Sequence, residues 1–366
     1  MNKVCIIGAG IHGLTTAVAM ANAGFDVVVI DKNPEIFQGT SGSTHNRAHI
    51  GYHYPRSMET AQECLEGLLY FKQKYSEALI YPKDVYYLIS KDSKTTVEDY
   101  IKFCDILNYP YEITMPSDEY LIKTNIVSGF KVHEPIFDMF KLKEIFLKIA
   151  KDKNIKIYTS MALVDVNPFQ DGYNIYCYCR PLSNVALNIM QFHTNIIINA
   201  TYAYSNNILK ILDLEEDMTE YILQHTEVAI LRTKKYVPSI TIMDGPYVSL
   251  MPYANPKNNL YLLYDVVNSV LEKTTGYFFE DKEMKSNIEN MLKHCYLYFP
   301  FELEYISSLY GSRPIPVAQL ENAGDCRKTR IKCHKKYPGI YSILEGKFIS
   351  APLVAENIVS LIKEKL

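Results

Sequence analysis

The residues that could do chemistry begin at the eighth position. Gly8-Ala9-Gly10-Ile11-His12-Gly13 follows an apolar run at 4–7 and opens a small-residue helix over 14–24. A second apolar run, 27–30, ends on Asp31. Strand, glycine turn, helix, strand and terminal acid make a dinucleotide-binding βαβ fingerprint in its required context. Gly8 permits the tight turn, Gly10 lets the backbone approach a pyrophosphate, and Gly13 lets the helix pack against the sheet. The helix N-terminus offers N–H groups to phosphate, and Asp31 is placed to accept hydrogen bonds from a ribose diol. Two histidines form a second group. His49 and His53 lie in Asn46-Arg47-Ala48-His49-Ile50-Gly51-Tyr52-His53-Tyr54-Pro55, and in an extended segment their spacing sets both on one face. No third ligand accompanies them, so no metal site is expected. Arg313, in Gly311-Ser312-Arg313-Pro314, reads as a surface residue before a proline turn or as an anion-binding fork.

These residues need a frame. A chain of 366 residues suits two domains, or one domain interrupted by another. Hydrophobic residues make up 48% and charged ones 22%, enough for an ordinary globular core. The net charge of −3 gives no global electrostatic case for nucleic acid or a membrane surface. No apolar run is long enough to span a bilayer. The first strand starts at Lys3, so no leader is expected, and the expected location is cytoplasmic. The eight cysteines are scattered; Cys177 and Cys179 alternate on one strand face, and reduced thiols are expected. Ser57 caps a helix reaching about residue 75, and a polar helical segment covers roughly 96–107. Asp138 caps another helix, with Leu142, Ile145, Phe146 and Ile149 at helical spacing. The run 195–199 holds three consecutive isoleucines, as in a parallel strand buried on both faces. Short strands at 228–231, 239–243, 247–251 and 261–266 suggest an antiparallel sheet. A strand at 340–344 and a helix from Ser350 follow. The nucleotide-binding part is therefore expected to be discontinuous.

Together these residues resemble the D-amino-acid oxidase superfamily of FAD-dependent oxidoreductases, which includes glycine and sarcosine oxidases and L-2-hydroxyglutarate dehydrogenase. The first point of likeness is the fingerprint itself. The second is Gly39-Thr40-Ser41-Gly42-Ser43-Thr44-His45-Asn46, similar to the family loop against the FAD pyrophosphate and ribose. The third is Ile196-Ile197-Ile198-Asn199-Ala200-Thr201, similar to a family strand ending in Asn-Ala-(Ala/Thr)-Gly, with Tyr202 where the family has glycine. The fourth pairs the Arg313 motif with Gly346-Lys347-Phe348 ahead of the final helix. In the family that helix points its N-terminus at the flavin N1–C2=O edge, where reduction places negative charge. Ile349, Ser350 and Ala351 would supply its N–H groups. The resemblance implies FAD held by Gly8, Gly10, Ile11, His12, Gly13, Asp31 and Lys32 from the fingerprint. Thr40, Ser41, Ser43, Thr44, His45 and Asn46 would follow from the loop, and Ala200 and Thr201 from the strand. Gly346, Lys347, Phe348, Ile349 and Ser350 would complete the set, with the Leu163 backbone near the adenine. His45 is one residue out of register with the flavin-linking histidine of dimethylglycine dehydrogenase, so noncovalent FAD is expected.

For the substrate, the resemblance implies that Arg313 clamps a carboxylate and aligns a Cα–H for transfer. His53 and Tyr253 fall on the same side. His49 matches a histidine of the 2-hydroxyglutarate dehydrogenases, where it would serve as a base, and a packed histidine is the plain alternative. The expected enzyme is an α/β (α+β two-domain) oxidoreductase. A discontinuous Rossmann-type FAD-binding domain would comprise 1–80, 138–205 and 318–366, and an inserted antiparallel-sheet substrate domain 81–137 and 206–317. It would oxidise a small amino acid or amine by hydride transfer to flavin N5, or alternatively a 2-hydroxy acid, with O2 or another acceptor taking the electrons. An NAD-binding or nonenzymatic Rossmann protein is the alternative of another class. The basic run 327–336 reads as a solvated loop or a rim for an anionic substrate.

Overall fold

The computed structural model describes residues 2–179, 188–253, 258–280, 282–317, 329–344 and 346–365. Its first sheet runs in the order β19 (Arg330–Cys333), β20 (Ile340–Leu344), β12 (Ile196–Asn199), β1 (Lys3–Ile7), β2 (Asp26–Ile30) and β8 (Lys156–Tyr158). All neighbours are parallel except the edge strand β19. Alternation divides each strand between two cores. Val4, Ile6, Val27, Val29, Ile196, Ile198 and Ile343 face the helices α1 (Ile11–Asn22), α2 (Met58–Tyr75), α4 (Met139–Asp152) and α7 (Ala351–Lys363). Cys5, Ile7, Ile30, Ile197 and Ile340 face α5 (Ser205–Ile211) and a three-stranded antiparallel sheet. Its strands are β9 (Met161–Phe169), β10 (Gly172–Cys179) and β11 (Asn188–Thr194). Burial on both faces is why the isoleucine run carries no polar alternation.

The second sheet runs β17 (Val270–Gly276), β13 (Tyr221–Arg232), β16 (Leu260–Asp265), β15 (Val248–Pro252), β14 (Ser239–Met243), β4 (Val85–Ser90), β6 (Ile126–Val132) and β5 (Tyr111–Ile113), with β18 (Glu304–Pro316) along β13. It is antiparallel apart from one seam, β14 against β4, where an early segment joins the later strands. A two-stranded ribbon of β3 (Leu79–Ile80) and β7 (Ile136–Phe137) and two further helices, α3 (Val97–Ile106) and α6 (Ile288–Cys295), complete the elements.

The expected caps form. The Ser57 hydroxyl accepts from Thr60 N–H, Thr96 from Asp99 N–H, and Asp138 from Lys141 N–H. Two strands differ from expectation. β13 extends well ahead of residue 228 because nearly all its residues are buried, which hides the alternation. β18 holds Pro314 and Pro316, tolerated because this strand lies off the main path of the sheet. No disulfide joins the described cysteines. Arg327 and Lys328 lie outside the described residues. Farther along the basic run, Lys332 and His334 bind Asp217 at 2.8 and 2.5 Å, and Lys336 binds Asp213 at 2.6 Å. That part of the run clips onto an acidic turn rather than standing free. Among the described residues no helix is long and apolar enough to cross a membrane.

Candidate active site

A cleft of about 400 Å³ opens at the C-terminal ends of β1 and β2. Gly8, Gly10, Ile11, His12, Asp31, Lys32, Thr40, Ser41, Thr44, Leu163, Ala200, Thr201, Gly346 and Phe348 all line it. The glycines do different work. Gly8 holds φ +106°, and a Cβ there would fall 2.7 Å from the Ala200 carbonyl oxygen. A Cβ on Gly13 would lie 1.9 Å from the Gly8 oxygen, so this residue sets the helix–turn contact behind the cleft. Gly10 is extended, and among the described residues its Cβ would meet only the Ser41 side chain, the hydroxyl at 3.0 Å. Two glycines are therefore needed for packing and the third keeps space at the mouth of α1.

Polar atoms at the cleft already hold one another. Asp31 accepts from Ala9 N–H at 2.6 Å and from Asn33 N–H at 2.8 Å, two of about four acceptor sites on a carboxylate. The Ser41 hydroxyl accepts from Ile11 N–H, and Lys32 sits 3.6 Å from the centre of the Tyr204 ring. Tyr202, at the position where the resemblance has glycine, holds a left-handed backbone, φ +51°, at a strain on the order of 1–3 kcal/mol. Tyr202 lines the cleft. His12 lies against Gly346, and burial lowers its imidazole to about 4.

The other expected residues stand just outside. Ser43 packs under Gly311, Ile349 is in the core, and Ser350 stands at the N-terminal boundary of α7 against Gly67, its hydroxyl donating to the Lys347 carbonyl rather than capping the helix. Asn46 is buried with φ +56°. Lys347 donates to the Tyr54 hydroxyl at 2.9 Å. His45 packs its ring 4.3 Å from Tyr264, and burial, Arg47 and Arg313 together lower it to about 3.

His49 and His53 meet, with ring centres 5.5 Å apart, but not through strand alternation. Four extended residues would separate them by roughly 13 Å. The segment instead turns at Gly51, φ +124°, and folds His53 back. Tyr54 flanks both rings. Beneath them lies an ion pair that sequence reasoning did not single out, Arg47–Glu134 at 3.6 Å, with side chains only 3% and 2% exposed. Glu134 accepts from the Tyr87 hydroxyl at 2.5 Å and from Ile50 N–H at 3.1 Å. Burial pushes its pKa up, while Arg47 and these two donors pull against the rise. Burial pushes His49 well down, helped by Arg47, His53, Lys347 and His45. Among the described residues, this cluster thus holds several cationic or cation-forming groups around one compensated acid.

Arg313 lies on β18, where Nε and Nη2 both donate to Gln224 Oε1, at 2.9 and 2.5 Å. Gln224 is neutral, so the pairing orients the guanidinium without cancelling its charge. Thr40 donates to the Ser312 carbonyl at 2.7 Å and ties this strand to the cleft loop. Tyr253 packs on Phe140 and joins Tyr264 in a small apolar cluster, one ring removed from His45.

This geometry has counterparts. The family model for FAD-dependent oxidoreductases of the DAO type matches residues 3–360. The FAD-dependent monooxygenase kojA of Aspergillus flavus is 24% identical, over 99% of this chain and 86% of its own. Glycine oxidase from Geobacillus kaustophilus superposes with a TM-score of 0.74 at 14% identity, covering 100% of this chain and 95% of that one. L-alpha-glycerophosphate oxidase from Mycoplasma pneumoniae, solved with FAD bound, gives 0.71 at 18% identity, covering 99% and 95%. A nicotinamide-binding or nonenzymatic Rossmann protein is thereby set aside, and the chain belongs to the DAO family of FAD-dependent oxidoreductases.

Proposed function

We propose that this enzyme oxidises a small amino acid or amine carrying a carboxylate, with FAD bound noncovalently in the glycine-lined cleft. The cleft suits the cofactor on its own evidence: the absent Cβ of Gly10 leaves the helix mouth open, while Gly8 and Gly13 are locked by packing. Residues 1–80, 138–205 and 318–366 would form the FAD-binding domain, and 81–137 and 206–317 the substrate domain. The backbone at Gly8, Gly10 and Ile11 and the loop Thr40–Thr44 would hold the pyrophosphate. Asp31 would hold the ribose, Leu163 the adenine, and residues 346–350 the flavin edge. When bound, the flavin supplies a hydride acceptor.

One observation carries the reading: beside the buried His45 and His49, the described residues bring together Arg47, Arg313 and Lys347, and the buried acid among them, Glu134, is already compensated by Arg47. Such a pocket attracts a carboxylate, which Arg313 would grip with its charge intact, and disfavours an ammonium. An amine substrate is thereby held neutral, the form from which a hydride can leave. A second reading, a 2-hydroxy acid, has its own support. His49 Nδ1 is buried without a hydrogen-bond partner, an imidazole kept ready for a hydroxyl proton. The described cysteines are unbridged, which suits a reducing, cytoplasmic setting.

Anaerobic stopped-flow bleaching with panels of amino acids, N-methyl amino acids and 2-hydroxy acids tests both readings, in wild type and His49→Gln. Bleaching by amines with the variant nearly intact supports the first. Bleaching by hydroxy acids, with the variant slowed about 10²–10⁴-fold, replaces it with the second. Acid precipitation should release the flavin into the supernatant; flavin on the pellet would overturn noncovalent binding and point to His45. Oxygen uptake would show whether O2 reoxidises the enzyme.

A further inference from the structure

We propose that the His12 side chain is a ligand of the cofactor's ribityl chain, the polyhydroxyl segment between the phosphates and the flavin. This deepens the cofactor reading given above and rests on it. His12 stands at the second position of α1 and lines the cleft. Both of its ring nitrogens are buried, and among the described residues neither has a hydrogen-bond partner. The Lys347 backbone pulls toward the charged ring without closing a hydrogen bond to either nitrogen. Buried polar groups are ordinarily paired, because an unmade hydrogen bond leaves the full cost of removing the group from water. Two orphaned nitrogens in the wall of a ligand cleft are accounted for by a ligand that carries hydrogen-bonding groups.

Gly346 marks the space beside the ring. A Cβ there would fall 2.9 Å from His12 Nε2 and 2.6 Å from Thr329 Oγ1, and the residue holds φ +122°. Two polar atoms from separate stretches thus converge on a spot that glycine keeps open. Thr329 gives its proton to Glu63 Oε1 at 3.1 Å, so its oxygen has only lone pairs left to offer there. The place along the cofactor follows from the neighbours. Gly10 and Ile11, just ahead of His12, belong to the pyrophosphate in the reading above. Gly346, against the ring, belongs to the flavin edge, and the adenine lies by Leu163 on β9. The ribityl chain joins the first two. Its chemistry also matches, since a hydroxyl both donates and accepts, as a neutral imidazole does. A phosphate oxygen only accepts and favours a charged ring, whereas burial keeps His12 neutral, with its pKa lowered to about 4.

The test measures the binding of cofactor fragments to the full chain stripped of flavin, in wild type, His12→Leu and His12→Gln. FAD and FMN are followed by flavin fluorescence, and ADP by competition with FAD. His12→Leu should bind FAD and FMN about tenfold or more weakly and ADP as wild type does. Gln returns an N–H near the Nε2 position, so His12→Gln should recover most of the loss. Without flavin, His12→Leu should melt no lower than wild type, because it gives up two unpartnered nitrogens. A marked loss of stability there would show them paired within the fold and overturn the proposal. Equal weakening of FMN and ADP would put the imidazole at the pyrophosphate and overturn it too. Wild-type protein that takes up no flavin would defeat the cofactor reading itself. Wild type that binds FAD, with His12→Leu matching it for FAD and FMN, would defeat this proposal alone.

Discussion

The glycine-lined cleft and the histidine pocket are built by opposite means. The cleft is shaped by backbone, and most of what shapes it is local: three glycines and a strand-end acid within the first thirty-one residues. The pocket is shaped by side chains gathered from distant places. Arg47, Tyr87, Glu134, Thr241, Met251 and Lys347 come from six separate stretches of chain, and most are joined by polar contacts. In the cleft, missing atoms matter; in the pocket, buried charges do. A backbone-built site should therefore fail through steric clash, and a side-chain-built one through unbalanced charge.

The sharpest way to break this contrast is at Gly13. A methyl group there would sit 1.9 Å from the Gly8 oxygen, backbone against backbone, so Gly13→Ala should cost 3 kcal/mol or more, at or above the upper end of about 1–3 for overpacking. Little folded, yellow protein should be recovered. Gly10→Val makes the complementary case, because the chain should fold with a normal melting temperature and emerge colourless. If Gly13→Ala binds FAD normally, the packing role is wrong. Next in size is Glu134→Gln, which leaves the Arg47 charge buried without its counter-ion. Denaturant unfolding should show a loss of roughly 3–5 kcal/mol, and a loss under about 1 would mean that the pair contributes little. If the substrate is the carboxylate-bearing one proposed, Arg313→Ala should spare FAD content and stability yet lower its kcat/KM by about 2–5 kcal/mol equivalent. Lysine should rescue little, since a point charge cannot reproduce the fork held by Gln224.

The smallest effect is in acid. His12, near 4, and His45, near 3, have folded pKa values below the ordinary 6.5, and His49 shares the direction. The unfolded chain then binds protons that the folded one refuses, so stability is full above about 6.5 and falls as pH drops below it. Chemical denaturation at pH 7 and 5.5 should register this, and His45→Phe should remove at most about 1 kcal/mol of the difference. An unchanged pH dependence in that variant would show that His45 is not held neutral.

The same contrast explains what could be read in advance. Gly8, Gly10, Gly13 and Asp31 carry their signal in spacing, and Ser57 and Asp138 announce their helices through local capping. Arg47 and Glu134 carry none. Arg47 stands inside the stretch containing His49 and His53, and nothing adjacent distinguishes a buried arginine from a solvated one. Glu134 is fixed by Tyr87 and Ile50, partners that only the fold supplies. Spacing sets His49 and His53 on one face of an extended segment, whereas a turn at Gly51 is what brings their rings together. β18 was hidden by its own prolines, which signal a turn except on a strand of this kind.

The route of the chain through the first sheet bears on how the enzyme comes into being. β20 pairs with β12, and α7 packs on α1 and α2, so residues 340–363 complete a layer begun at residue 3. On the ribosome, the outer edge of β12 and the apolar face of α1 must wait for most of the chain to be made. Non-local pairing of this kind is slow and leaves bare strand edges open to association. A nascent chain stalled in the second sheet should therefore depend on chaperones and hold no flavin. Yellow colour then becomes a record of completed synthesis as well as of catalytic competence.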